Sequence, residues 1–352
     1  MDTLLGRPCA ATNFQVQMEH LAEGAWEELQ VQTARDLVDV AELLDYDMVR
    51  VWLASPPGEE RPVRVGPNRW RHGGYEIETL PSGWNRSRKI IEEHVSEEEA
   101  ERRLSADLEA GWTVSEVGEE SLRLLREVRK AMAARGLDLG LCAAVYSLGP
   151  ASGGPAVLRW FAERPPVLEL FCQRALDNGL PAVRKLAEEG VDLIMLGGDT
   201  ACDHGPIIAP RAYHDYVTPI MRAESQEAHA RGAWTSMASD GNCWALLDEF
   251  LIHSEADGYE EIDYAAGMRL DEIREAYETC CLGNLDIRFV LTRGTPAEAR
   301  AHMREVLRAG KGEEGGHIVM SSNCLHEDVK LELYREALGA YREYWGLEKL
   351  EV

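Results

Sequence analysis

Residues 191–219 read VDLIMLGGDTACDHGPIIAPRAYHDYVTP, and this stretch decides the fold. The apolar residues 193–196 predict a buried strand that breaks at Gly197-Gly198, and Pro210 begins a helix. An apolar run of this length, ended by glycine and followed by a helix, is typical of one βα unit of a parallel sheet. Active sites of α/β sheets and barrels lie at the C-terminal ends of such strands. The loop that follows is therefore either part of an active site or a solvated polar loop. Its reactive side chains are Asp199, Cys202, Asp203 and His204.

The same alternation of strand and helix recurs along the chain. Strand-like segments lie near 48–53, 139–146, 192–197, 233–237, 258–262, 280–285 and 317–320, with an eighth in 60–80. Nearly all are followed by helical patterns, which favours a single (β/α)₈ TIM barrel over a doubly wound sheet. Turn-forming residues predict an inserted β-hairpin near 60–85. Residues 243–254 are predicted as one helix, and Thr295-Pro296-Ala297-Glu298 predicts a helix start with a Thr cap, proline at the first position and Glu at the third. We therefore expect one domain over 1–352, with an N-terminal extension at 1–30 and this insertion.

The composition excludes some classes of partner. The 37 basic and 62 acidic side chains give a net charge of −25. Nucleic-acid surfaces and anionic membranes are bound through Lys and Arg, so neither is an expected partner. No apolar run approaches the ~18 residues that span a bilayer, and the first residues, MDTLLGRPCAATNFQ, do not resemble a secretory signal. The eight cysteines form no CxxC pair, so we expect reduced thiols and a cytoplasmic protein.

A series of short motifs occurs in a fixed order along residues 30–345. They are Val191-Asp192 leading to Gly198-Asp199, Ile207-Ile208-Ala209-Pro210, Ser239-Asp240-Gly241-Asn242, Gly283-Asn284-Leu285-Asp286, Gly294-Thr295-Pro296-Ala297-Glu298 and Ser321-Ser322-Asn323-Cys324. Their order and spacing resemble the uroporphyrinogen decarboxylase superfamily, which includes porphyrinogen decarboxylases and zinc- and corrinoid-linked methyltransferases. The resemblance implies a single barrel with substrate at the C-terminal ends of the strands, and a homodimer.

The sequence departs from the decarboxylase branch. Porphyrinogen decarboxylases carry an N-terminal Arg-Gln-Ala-Gly-Arg stretch whose arginines hold the substrate carboxylates, and residues 7–17 have no such motif. Highly carboxylated porphyrinogens need several cations to bind them, whereas Asp and Glu dominate the candidate site. The chain is therefore more similar to the methyltransferase branch.

The resemblance also suggests a metal. The methyltransferase branch shows His-x-Cys-Gly after the central strand and a later Cys, which together bind zinc; here residues 238–241 read ASDG. Zinc accepts carboxylate, Cys and His ligands, so Asp240 and Cys324 are candidate ligands. The third ligand would be one of Glu260, Glu261 and His326. Otherwise Asp240 is a helix N-cap or a general acid, and Cys324 is a small loop residue.

Without a metal, the strand-end loops suggest acid–base chemistry. A carboxylate among like charges has a raised pKa and can donate a proton. We predict Asp199, His204 and Asp240 as catalytic groups, with a loop hydrogen-bonding role as the alternative for His204. Glu260 and Glu261 are adjacent on a predicted strand, so we expect one of them to face solvent, because neighbouring residues on a strand point to opposite faces. The predicted substrate-binding residues are Asp203, Asn242, Glu260, Glu261 and Asn323.

These expectations define one preferred function and two alternatives. The preferred function is transfer of a methyl group from a small methylated substrate to a corrinoid protein or another acceptor, with zinc as a possible cofactor. The corrinoid would lie on a partner protein that meets the rim carrying residues 60–85. The first alternative is a decarboxylase acting on a porphyrinogen-like or other small carboxylated substrate, and the second is a catalytically inactive binding barrel.

Overall fold

The computed structural model describes residues 1–56, 58, 60–90, 96–114, 116–149 and 154–349. The strands are β1 (Met48–Val51), β2 (Val63–Gly66), β3 (Arg69–His72), β4 (Tyr75–Thr79), β5 (Asn85–Lys89), β6 (Gly140–Val145), β7 (Leu193–Gly197), β8 (Ala201–Cys202), β9 (Gly205–Pro206), β10 (Trp234–Ala238), β11 (Gly258–Ile262), β12 (Cys280–Gly283) and β13 (His317–Ile318). The α-helices are α1 (Asp2–Leu5), α2 (Phe14–Glu23), α3 (Trp26–Leu44), α4 (Glu97–Glu109), α5 (Arg123–Arg135), α6 (Gly154–Glu163), α7 (Pro166–Glu188), α8 (Pro210–Ala212), α9 (Thr218–His229), α10 (Leu270–Ala276), α11 (Pro296–Gly310) and α12 (Leu331–Trp345). Three π-helical turns are π1 (Tyr213–Val217), π2 (Glu249–His253) and π3 (Ile287–Leu291), and 3₁₀ turns lie at Trp244–Leu246 and Gly312–Glu314.

The chain forms two compact units. Among the described residues, the first comprises those within Met1–Ser96 and Val117–Ala143, and the second comprises those within Glu97–Glu116 and Ala144–Lys349. Both combine helices with parallel strands, so the predicted α/β class is confirmed. The expected single domain stays a prediction. None of the helices in the described residues is long and apolar enough to cross a membrane.

In the first unit, β1 pairs in parallel with β6, from Met48 opposite Gly140 to Val51 opposite Ala143. Helix α3 packs against α5. The contact forms because apolar side chains three and four residues apart fall on one face of each helix, where they are buried. On α3 these are Ala34, Val38, Ala41 and Leu44, and on α5 Leu124, Leu125, Val128 and Met132.

The predicted hairpin near 60–85 is a larger element. Strands β2 to β5 form a four-stranded antiparallel sheet in sequence order. The turn from β3 to β4 uses Gly73 and Gly74, with φ of 57° and 76°, a conformation that favours glycine in two-residue hairpin turns. Trp70, on β3, is buried. The predicted antiparallel hairpin is therefore present, but as part of a four-stranded sheet. The assignment of a barrel strand to 60–80 was wrong, because within the described residues these strands pair only with one another.

The second unit is built on parallel strands in the order β7, β10, β11, β12, β13. Every residue of Leu193–Gly197 is buried, which confirms the strand predicted from the apolar run. Helical segments connect successive strands, so all five strands end at the same edge. The predicted helix start before α11 is also confirmed: the Thr295 side chain accepts from the Glu298 amide, and the Glu298 carboxylate accepts from the Thr295 amide. The region predicted as one helix over 243–254 is instead a 3₁₀ turn followed by π2.

Candidate functional site

The five parallel strands of the second unit bring a group of charged and amide side chains to one edge. Each side chain follows the end of a different strand, where a parallel α/β sheet exposes its loops to a ligand. They are Asp199 after β7, Asp240 after β10, Asp263 after β11, Arg288 after β12 and Asn323 after β13. This group is called the strand-end cluster below.

Asp240 lies at the centre of the strand-end cluster. The Asn323 side-chain amide donates to Asp240 Oδ2 at 2.6 Å, which joins the loops after β10 and β13. Burial raises the pKa of Asp240, and the negative charges of Asp199 and Asp263 raise it further. The bond from Asn323 and the charge of Arg288 oppose this increase. Asp240 therefore holds a proton more readily than an ordinary aspartate.

The backbone under Asp240 is held in place by buried polar contacts. Thr200 donates to Ser239 Oγ from its amide at 3.1 Å and from its hydroxyl at 3.0 Å, and the Tyr259 hydroxyl donates to the Ser239 carbonyl at 3.0 Å. The Cys243 thiol donates to the Asp240 carbonyl at 3.4 Å. Burial raises the pKa of Cys243 to about 11, so this group is a thiol and not a nucleophilic thiolate.

A short hairpin, β8–β9, carries Asp203 and His204 at its tip, and both side chains are exposed. The hairpin lies close to the loop after β10 because residue 241 is glycine. A Cβ on Gly241 would lie 2.9 Å from the Ala201 carbonyl carbon, and its φ of 78° also favours glycine. The amide of Asn242 donates to the Cys202 carbonyl at 2.8 Å. The hairpin is thereby fixed beside Asp240.

Arg288 is a site residue that the sequence interpretation missed. Its guanidinium donates to both carboxylate oxygens of Asp203, at 2.9 and 3.0 Å, and lies 3.5 Å from Asp263. The bond to Arg288 lowers the pKa of Asp203. Asp286 fixes the start of π3, because its carboxylate accepts from the amides of Arg288 and Phe289 at 2.7 and 3.1 Å. The sequence pattern that could have identified Arg288 is an aspartate that caps a helical turn after a strand, Asp286, followed two residues later by an arginine.

Asp263 is the second missed residue, and it is buried. One carboxylate oxygen accepts from the amides of Ala265 and Ala266 at 2.9 and 3.2 Å, and the other faces Arg288. Backbone donors and a guanidinium therefore surround the Asp263 carboxylate on both sides.

The remaining predicted substrate-binding residues have different surroundings. The Asn242 side chain donates to the Ala266 carbonyl at 3.2 Å and therefore braces the loop. Glu260 is buried within β11, opposite Ala238 and Leu282. Glu261 has a φ of 60° at a register shift and is half-buried. The strict alternation expected for these two glutamates is broken, because an extra residue in a strand re-aims its side chains.

The predicted metal ligands do not converge in this structure. Among the described residues, the ligand atoms of Asp240, Cys324 and His326 do not come within 4.8 Å of one another. Asp240 accepts from Asn323, and the His326 Nδ1 atom accepts from the Asp328 amide at 3.3 Å. Cys324 is exposed. These residues do not fit a zinc ion as they are arranged, and the zinc site stays a prediction.

Comparisons with known proteins agree with this architecture. Residues 121–344 match the sequence profile of the family described as Uroporphyrinogen decarboxylase (URO-D). No curated protein matches the sequence. Among solved structures, a methyltransferase from Methanosarcina mazei has a TM-score of 0.60 at 15% identity, over 98% of this chain and 97% of that one. At this identity the likeness shows a shared fold.

A second solved structure is similar only in part. A sugar phosphate isomerase/epimerase from Parabacteroides distasonis ATCC 8503 has a TM-score of 0.35 at 13% identity, over 69% of this chain and 86% of its own, which is too weak to carry an argument.

The profile match spans more than half of the chain and includes every strand-end loop described above. The chain belongs to the uroporphyrinogen decarboxylase family.

Proposed function

We propose that the chain is an enzyme that transfers a methyl group from a small methylated substrate to a corrinoid on a partner protein or to another acceptor. The observation that carries the proposal is the Asp240 carboxyl group. It lies at the strand ends, is bonded to Asn323, and has a pKa that burial and two neighbouring carboxylates raise. A proton-donating acid at this place is what activation of a poor leaving group requires.

The proposed chemistry breaks the bond between the methyl carbon and the heteroatom of the donor. The bonding electrons stay on the heteroatom, which takes a proton from Asp240 as it leaves, and the methyl group passes to the acceptor. Asn323 holds the Asp240 carboxyl group in position, while burial and the charges of Asp199 and Asp263 favour its protonated form. General acid catalysis of this kind contributes roughly 10²- to 10⁴-fold in rate.

The acceptor is not part of this chain, and none of the steps described above requires a bound metal ion. A corrinoid on a partner protein would supply the cobalt that accepts the methyl group. Zinc bound by Asp240, Cys324 and His326 stays a separate prediction, and it would take the place of proton donation by Asp240, because a carboxylate that binds a metal is deprotonated. A closed eight-stranded barrel, a homodimer and a cytoplasmic location likewise remain expectations from the family resemblance and the sequence.

The charge of the strand-end cluster favours a neutral or cationic methyl donor. Of the five residues that define the strand-end cluster, Arg288 is the one that carries a positive charge. Its guanidinium is already paired with Asp203 and Asp263. Asp199 adds a further carboxylate. A polycarboxylated substrate would have to displace these pairs, because each buried carboxylate needs its own cation or donors. We therefore place methyl transfer ahead of porphyrinogen decarboxylation.

Decarboxylation of a small substrate with one carboxylate is the second candidate. Asp240 could protonate the carbanion that forms when CO₂ leaves, and Arg288 is the cation available to hold the substrate. Replacement of Arg288 by Gln separates the two functions. It should abolish binding of an anionic substrate but affect a neutral methyl donor much less.

The test uses chemically reduced cobalamin in solution as the methyl acceptor and follows its conversion to methylcobalamin by visible absorption. Methyl ethers, methyl thioethers and methylated amines are offered as donors, with release of CO₂ from small carboxylic acids measured in parallel. We expect turnover of one donor class, and a loss of roughly 10²-fold or more in Asp240→Asn.

Asp271→Asn is the matched control, since Asp271 is exposed in the first turn of α10 and lies outside the strand-end cluster. It should leave the rate unchanged. Release of CO₂ without any methyl transfer would overturn the proposal, and so would full methyl-transfer activity in Asp240→Asn.

A further inference from the structure

Three side chains on helical segments of the second unit form a compact group of nitrogen and oxygen ligands. His214, Glu249 and His253 each offer one ligand atom, and these atoms all lie within 4.8 Å of one another. This group, called the His–Glu–His cluster below, shares no residue with the strand-end cluster. It is also the one group of at least three such side chains with this spacing in the part of the chain that the structure describes.

The pairing within the cluster is already close. The Nδ1 atom of His214 lies 3.0 Å from Glu249 Oε1 and 3.1 Å from Oε2. The ring of His253 lies edge-on to that of His214, with centroids 5.5 Å apart. Two ligands bound to one zinc ion at about 2.0–2.2 Å each lie roughly 3.4 Å apart. A metal ion can therefore enter between His214 Nδ1 and Glu249 with only small side-chain movements.

A neighbouring side chain orients the carboxylate. The hydroxyl of Thr218 donates to Glu249 Oε2 at 2.7 Å. Metal-binding groups commonly carry such a second hydrogen bond, which fixes the direction of the ligand and supports its affinity. The Glu249 side chain is only 13% exposed, whereas that of His214 is 43% exposed. The carboxylate is thus held from within while the histidines remain open to an ion from solvent.

The backbone supplies an independent observation. His214 lies on π1, and Glu249 and His253 lie four residues apart on π2. π-helical turns are rare, and they occur frequently at functional sites. All three ligands therefore lie on the two π-helical turns that follow β7 and β10.

We propose that His214, Glu249 and His253 bind a divalent transition-metal ion, with Zn²⁺ as the ion best suited to this donor set. Two imidazoles and one carboxylate leave a fourth position for water or for a further ligand. The ion joins the segments that follow β7 and β10. These segments lead out of the loops that carry Asp199 and Asp240, so metal binding stiffens the support of the strand-end cluster.

The experiment measures Zn²⁺ binding to the full chain by equilibrium dialysis after removal of metal with a chelator. Wild-type protein is compared with His253→Ala, Glu249→Gln, Cys324→Ser and His20→Ala. His253 is exposed, so its replacement should leave the fold intact. His20 is the control histidine, since its ring contacts only the carbonyl of Val16 in its own helix among the recorded bonds. We expect one ion per chain in the wild type, Cys324→Ser and His20→Ala, and loss of that ion in His253→Ala and Glu249→Gln.

Cobalt substitution identifies the ligands without any assay of activity. Co²⁺ in the His–Glu–His cluster should give weak visible d–d bands without the near-ultraviolet charge-transfer band of a cobalt–thiolate bond. Binding should also raise the melting temperature of the wild type as metal concentration increases, and this increase should disappear in His253→Ala. The proposal fails if no saturable binding occurs, or if His253→Ala and Glu249→Gln bind as the wild type does. A thiolate band that disappears in Cys324→Ser would place the ion at the strand-end loops instead.

Discussion

Glu224 on α9 provides a quantitative test of how the second unit is packed. Its side chain is fully buried, and burial raises the pKa of Glu224 to about 8, an effect that the Ser147 hydroxyl opposes. In the unfolded chain a glutamate titrates near its ordinary value of about 4.3–4.5. Below that value Glu224 is protonated in both the folded and the unfolded chain, so its titration does not change the free energy of unfolding. As the pH rises toward the folded-state pKa, the unfolded state releases its proton first, so stability falls by about 1.4 kcal/mol per pH unit.

The perturbation is Glu224→Gln, which keeps the shape but does not titrate. With a folded pKa of about 8, the carboxyl group lowers the free energy of unfolding by about 1 kcal/mol near pH 5 and by about 4 kcal/mol near pH 7.5. The stability difference between variant and wild type should therefore move in favour of the variant by about 3 kcal/mol over this interval. Any constant cost of burying the amide cancels in this comparison.

The assay is urea unfolding followed by circular dichroism at the two pH values. Glu227→Gln is the control, because Glu227 lies on the same helix and is bonded to Arg184 at the surface. It should not show the increase. A difference between Glu224→Gln and wild type that is the same at both pH values would refute the argument, because it would mean that Glu224 titrates alike in the folded and unfolded chain.

Three further substitutions test local geometry through the free energy of unfolding, measured by the same urea titration. Gly179→Ala should lower the free energy of unfolding by roughly 1–3 kcal/mol, because a Cβ at residue 179 would lie 2.0 Å from Glu224 Oε1. A variant that is more stable than the wild type would show that α7 and α9 are further apart than in this structure. Gly241→Ala should cost roughly 1–3 kcal/mol, since its Cβ would meet the Ala201 carbonyl carbon at 2.9 Å with φ at 78°, and an unchanged stability would contradict that contact. Thr295→Ala should cost about 1 kcal/mol through loss of the N-cap of α11, whereas Thr295→Ser should restore most of it.

Local patterns were sufficient to predict the elements that depend on neighbours in sequence. The apolar run at 193–196 predicted β7, and the spacing of Thr295 and Glu298 predicted the start of α11. The position of Asp240 and Asn323 at one edge followed from a general property of parallel sheets, whose strands all end at the same edge, although the bond between them joins the loops of two strands that are not neighbours. In each case the information lay within a few residues or in the fold class itself.

Other features depended on contacts that no local pattern records. Arg288 reaches Asp203 across 85 positions of sequence, so its role could not be recognised from its neighbours alone. Strand β5 reads NRSRK and has no apolar residues, so the sequence pattern did not indicate a strand there. Its pairing with β4 forms through backbone hydrogen bonds. The Glu249 and His253 pair has a visible four-residue spacing, but His214 lies 35 positions from Glu249. Only the folded chain brings such residues together.

The central claim is that Asp240 donates a proton to the leaving group of a methyl donor. It is tested most directly by the rates of methyl transfer from a series of methyl aryl ethers whose phenols differ in acidity, in wild type and Asp240→Asn. A weakly acidic phenol leaves slowly without a proton, so we expect Asp240→Asn to lose roughly 10²-fold or more on those ethers. On ethers of strongly acidic phenols the two proteins should react at similar rates. An equal loss across the whole series would contradict proton donation by Asp240.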